Sequence, residues 1–219
     1  MPKNSNYLMS RLAIIIMGAL FATSDFSDKP AITTKVPTQY NDTITVVADS
    51  NGTLPSISIN LSGKTLLKPS LVEDYCAIRE KYNIKPSQIE IEITESAIVE
   101  NFAEVNKRIK ELKDAGFTIS MDDFGTGVSS LNRLQDINVD ILKLDRGFIN
   151  KTFEEEKGIL IMRNILSMSK DLKIETVAEG IETKEQFELL KDMGCDIGQG
   201  YYLSRPLIQA DFEALLFTT

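Results

Sequence analysis

Asn60, Glu92, Asp122, Asp123, Lys143, Glu179 and Gln199 are the side chains whose types and spacing suit chemistry, each lying at or just past the end of a short apolar run. Glu92 with Asp122 and Asp123 can supply hard carboxylate oxygens to one or two divalent ions, and Asn60 adds a neutral carbonyl oxygen. In a two-metal site such ions activate a water and stabilise the oxygens of a phosphodiester undergoing in-line displacement. Lys143 can orient that water or offset charge on the phosphoryl oxygens. Glu179 suits a ligand or general base, and Gln199 a hydrogen-bond partner for a bridging water or substrate. The chain contains no His, which removes Ser-His-Asp and Cys-His catalysis, HExxH sites and zinc-finger ligand sets together. Its two cysteines, Cys76 and Cys195, are far apart and suggest neither a disulfide scaffold nor a thiolate metal site. Any metal is therefore expected to be a hard ion held by oxygen.

The elements that must position these groups alternate regularly from residue 56 onward. Strand-like runs are read at 56–59, 89–93, 117–121, 139–144, 174–178 and 195–199. Helical spacing is read at 69–82, 100–115, 126–135, 154–171, 183–192 and 209–217, with Pro69 or Ser70 as a start and Gly116 and Gly194 as stops. Such alternation means a parallel sheet or barrel covered on both faces. The fold class expected is α/β, an incomplete TIM-like (β/α) barrel with six of the usual eight units. Asn60, Glu92 and Glu95, Asp122 and Asp123, Lys143 and Asp145, Glu179 and Glu182, and Gln199 all fall at carboxyl ends of strands, where a barrel gathers its functional groups. Each also has a local reading: Asp122-Asp123 as a helix cap, Lys143 as a side chain reaching out from a core position, the remainder as solvated loop residues. The segment from Asp123 to Ser130 carries glycines suited to close approach, but it matches neither a P-loop nor a dinucleotide fingerprint.

Residues 1–55 differ in composition and are read as a divergent N-terminal segment ahead of a barrel domain at 56–219. The apolar stretch 12–22, behind Lys3 and Arg11, has the outline of a signal or anchor and equally that of a buried core segment; it is short for a membrane span. Residues 24–55 read as an extension or linker with one strand-like run at 43–47 and a turn at 49–52. The expected location is cytoplasmic, or membrane-bound or exported if 12–22 is a signal. A net charge of -8 argues against nonspecific binding to DNA or RNA, while leaving room for a phosphate-containing substrate held through divalent ions.

Six segments in order carry a resemblance: Ile59-Asn60-Leu61-Ser62, Glu90 to Glu95, Met121 to Gly127, Leu142 to Asp145, Ala178 to Thr183, and Gln199 to Pro206. Together they resemble the EAL domain, a β/α barrel that hydrolyses cyclic di-GMP to a linear dinucleotide with Mg or Mn. The resemblance implies that Asn60, Glu92, Asp122 and Asp123 are metal ligands, that Lys143 holds the attacking water, that Glu179 is a ligand or general base, and that Gln199 binds water. It also implies that Glu95 fixes the loop from Phe124 to Ser130, which contributes to the second metal position and a dimer contact. Glu182 becomes a supporting acid, and Arg205-Pro206 a closing turn near bound guanine. The Glu-Ala-Leu triplet that names the family, whose Glu is a metal ligand, does not occur before residue 60; Glu213-Ala214-Leu215 falls in the last expected helix. The expectation is a family member with its start lost or replaced. Its activity is then weak or absent cleavage, or binding of the nucleotide or a protein partner without cleavage. Unpaired strand edges would be left unless 12–22, 43–47 or a partner chain filled the gap.

Overall fold

The computed structural model describes residues 21–25, 29–37, 43–48, 56–81, 84–125 and 134–205, and before Ser58 the backbone alone. Most of the apolar stretch 12–22, the turn at 49–52, most of the helix expected at 126–135, Pro206 and the helix expected at 209–217 lie outside these residues. Six parallel strands run in chain order: β4 (Ser56–Leu61), β5 (Ile89–Thr94), β6 (Thr118–Phe124), β7 (Ile141–Leu144), β8 (Glu175–Glu179) and β9 (Ile197–Gln199). The six strands expected from the sequence are thus present, and they pair as a barrel requires.

The described residues between 21 and 48 are not the extension or linker expected over 24–55, and the strand-like run read at 43–47 is present as a strand. They make three strands, β1 (Phe21–Asp25), β2 (Lys29–Pro37) and β3 (Thr43–Ala48), each antiparallel to its neighbours. β3 pairs with β4 through Ile44 opposite Ile59, and β1 pairs with β9 through Thr23 opposite Gln199, so the ring of strand pairings closes. The run Thr43–Ala48 and the residues Ile32, Thr33, Thr34 and Val36 of β2 have the β-branched composition that favours a pleated surface. Closure removes the open edges that six parallel strands would expose.

Each strand sorts its residues by parity. In β5, Ile89, Ile91 and Ile93 are buried on the face that meets the helices, while Glu90 and Glu92 take the opposite face. The register carries this alternation around the ring: Asn60 beside Glu92, Glu92 beside Ser120, Lys143 beside Val177, and Glu179 beside Gln199. The polar groups therefore share the inner face. Outside lie α1 (Gly63–Leu66), α2 (Leu71–Lys81), α3 (Glu95–Glu100), α4 (Phe102–Asp114), α5 (Arg146–Glu154), α6 (Glu156–Asp171) and α7 (Lys184–Asp192). On α4 the stripe Val105, Ile109 and Leu112 is fully buried, at the spacing that lays one helix face on a sheet.

Two boundaries depart from expectation for local reasons. The helix expected at 154–171 is preceded by a separate one, α5, because Asp145 caps it: Asp145 Oδ1 accepts from the N–H groups of Gly147 at 2.7 Å and Phe148 at 3.3 Å. β9 begins at Ile197 rather than Cys195, because Asp196 turns sideways to accept from Thr176 N at 2.8 Å and Thr176 Oγ1 at 2.7 Å.

Cys195 is buried there, its Sγ donating toward Ile197 O at 3.4 Å, and burial pushes its thiol up to about 12. Without a thiolate it is inert. Ellman's reagent at pH 8 is expected to titrate Cys76 alone in the native chain and both cysteines in guanidinium; rapid native labelling of both would show that this packing is wrong. Among the described residues no helix is long and apolar enough to cross a membrane.

Candidate active site

The loops that follow the strands both start helices and set the site. Thr94, just past Glu92, accepts from Ala97 N at 3.4 Å and caps α3. Asp145, just past Lys143, caps α5. Thr183, beyond Glu179, forms a reciprocal capping box with Gln186 that starts α7. Each cap fixes the chain within a few residues of an inward-facing polar group, so strand end and helix start are positioned together.

The inward groups converge on one ammonium. Lys143 Nζ lies 2.6 Å from Glu92 Oε1, 2.7 Å from Glu179 Oε1 and 3.6 Å from Asp122 Oδ1. Asn60 Nδ2 donates to the other Glu92 oxygen, Oε2, at 2.5 Å. Glu92 is 1% and Lys143 4% exposed, and Asp122 and Gln199 are buried as well. Burial pushes the Glu92 carboxyl up to about 7; Lys143 pulls it down, and Glu90, Asp122 and Glu179 add to the rise. Burial also pulls the Lys143 ammonium down, but Glu179, Glu92 and Asp122 together hold it well above the ordinary lysine value. Lys143 is thus a charged, fully enclosed counter-ion.

Asp123 does not join the buried cluster. The register of β6 against β7 shifts between Met121 and Phe124, and within this irregularity Asp123 takes a left-handed φ of 59° and is exposed, its N–H bonded to Asp122 Oδ1 at 3.0 Å. Glu95 is buried and its Oε2 accepts from Gly125 N at 3.2 Å, tying α3 to the start of the loop after β6. Residues 126–130 of that loop lie outside the described residues. Glu182 pairs with Arg146 at 2.8 Å across two loops at the strands' carboxyl ends. Arg205 stands over the exposed Tyr201 ring at 5.4 Å.

Sequence reasoning did not single out Arg146, Glu90 or Ser120. Glu90 and Ser120 are buried on the inner face, Glu90 two residues before Glu92 and Ser120 two before Asp122, and the period of two in a strand was the available signal. Arg146 follows the cap residue Asp145 directly and carried no signal of its own.

The donor set suits a hard divalent ion: carboxylates of Glu92, Asp122 and Glu179 and the amide of Asn60, all oxygen-bearing and mostly buried. Among the described residues no three acids are spaced as a ready cage, and Lys143 stands between Glu92 and Glu179.

An inward ring of carboxylates around a lysine, at the carboxyl ends of parallel strands with helices outside, defines an acidic α/β barrel site. The chain belongs to the EAL domain family, whose profile matches residues 41–206. It is 34% identical over 160 residues to the cyclic di-GMP phosphodiesterase NbdA of Pseudomonas aeruginosa, covering 73% of this chain and 20% of that one. It is similar to the EAL domain of DcpA from Mycobacterium smegmatis, with TM-score 0.70 and 30% identity, covering 76% and 75% of the two chains. It is also similar to Klebsiella pneumoniae BlrP1, solved as a manganese and cyclic di-GMP complex, with TM-score 0.66 and 31% identity, covering 69% and 39%. The chain spans between about a fifth and a third of the length of the curated relatives it matches.

Proposed function

We propose that the chain hydrolyses cyclic di-GMP to linear pGpG with Mg or Mn, more slowly than an EAL domain that retains its Glu-Ala-Leu triplet. The observation that carries this reading is the convergence of Asn60, Glu92, Asp122 and Glu179 on Lys143, within a chain of this family. Glu92, Asp122 and Asn60 would hold the divalent ion, with Glu179 as a further ligand or as the base. The bound ion supplies a Lewis acid and a water acidified toward neutral pH. Lys143 keeps its proton and offers N–H donors to a developing phosphoryl charge. Glu179 Oε1 would take a proton from water once Lys143 turns toward substrate. Gln199, beside Glu179 in register, supplies an amide to the same side of the pocket.

The slow rate follows from the closing strands. Among the described residues of β1, β2 and β3 the sole acid is Asp25, placed opposite Ile197 and so toward the amino end of β9. Among the described residues, the arc between Gln199 and Asn60 therefore brings Thr23 beside Gln199 and no carboxylate to the site end. The same observation favours a second reading, binding without cleavage.

Equilibrium dialysis of cyclic di-GMP against the purified chain with calcium, then with EDTA, tests the nucleotide assignment. Saturable, metal-dependent retention is expected. No retention by a folded chain would remove both readings.

A further inference from the structure

Both oxygens of Glu92 are already engaged by donors of the chain itself: Oε1 by the Lys143 ammonium at 2.6 Å and Oε2 by the Asn60 amide nitrogen at 2.5 Å. The same ammonium also holds Glu179 Oε1 at 2.7 Å. These are the groups that the proposed function assigns to a divalent ion, and this inference rests on that assignment. An ammonium and a divalent ion repel each other strongly when both stand within contact distance of the same carboxylates in a buried site. The Asn60 amide likewise presents its donor side and must turn over to offer an oxygen.

We propose that Lys143 is the resident counter-ion of the cluster and competes with the divalent ion for Glu92 and Glu179, so that the ion enters as the ammonium leaves Glu92. Lys143 thereby sets how tightly the chain takes its metal, apart from any part it plays toward substrate. In the metal-free chain it also keeps three acids from repelling one another, which lets the site stay folded and closed.

The test is Mn binding by titration calorimetry with the metal alone, for the full chain and for Lys143→Met and Lys143→Arg. Lys143→Met removes the charge at similar length and is expected to bind Mn at least about tenfold more tightly. Lys143→Arg keeps the charge and is expected to bind no more tightly than the parent. A folded Lys143→Met chain that binds Mn no better than the parent would overturn the proposal. Should Lys143→Met fail to fold, the parent decides: in a chain labelled with lysine ¹⁵Nζ, the enclosed Lys143 ammonium gives a slowly exchanging signal that saturating Mg is expected to shift or abolish. A signal unmoved by Mg contradicts the proposal. Equal Mn affinity in parent and Lys143→Met strikes this inference alone, whereas no Mn binding by either strikes the metal assignment itself.

Discussion

Glu92→Gln is expected to reduce metal-dependent cleavage of cyclic di-GMP by at least about 100-fold, more than the loss usual for a group that only supports a metal ligand. The substitution keeps the shape of a side chain that is 1% exposed and holds Lys143 at 2.6 Å, while removing its charge. Steady-state rates with Mn would show it, and Mn affinity should fall in parallel. A Glu92→Gln chain that kept both would mean that the ion is held elsewhere.

Gly200→Ala should produce the largest loss of stability. A Cβ at Gly200 would run into the O, N and C atoms of Ile181, all backbone atoms that cannot swing away. Ile181 N–H bonds Gln199 O at 3.0 Å and Tyr202 N–H bonds Ile181 O at 3.0 Å, so these two segments are tied on both sides of the glycine. Forcing them apart is expected to cost about 3 kcal/mol or more, the upper range for overpacking. For a chain of this size that is a fall in Tm of roughly 6–12 °C, readable by calorimetry. Because Gln199 precedes Gly200, nucleotide retention should weaken as well. An unchanged Tm would show that the two segments are not packed this way.

Much of this was legible in the sequence because it is local. The alternation Ile89-Glu90-Ile91-Glu92-Ile93 states both that the segment is a strand and that its acids share one face, and Asp122, Lys143 and Glu179 end their strands in the same manner. What escaped depends on pairing across the ring. β1 and β2 are short or Thr-rich and lie in a polar stretch of sequence, and β1 pairs with β9, far away along the chain, so composition alone left them as a linker around the one strand-like run, that of β3. Asp123 adjoins Asp122 in sequence, yet the irregularity in β6 separates their environments, one buried and one exposed. The meeting of Glu92, Asp122 and Glu179 on one lysine depends on how the strands are staggered around the barrel, which no single segment encodes.

The most direct measurement is chromatography of cyclic di-GMP after long incubation with the purified chain and Mn or Mg, with EDTA and Glu92→Gln as controls. Slow conversion to linear pGpG, stopped by EDTA and absent in Glu92→Gln, is the expected result. Intact cyclic dinucleotide after incubation with a folded chain shown to have bound Mn would contradict hydrolysis at this site.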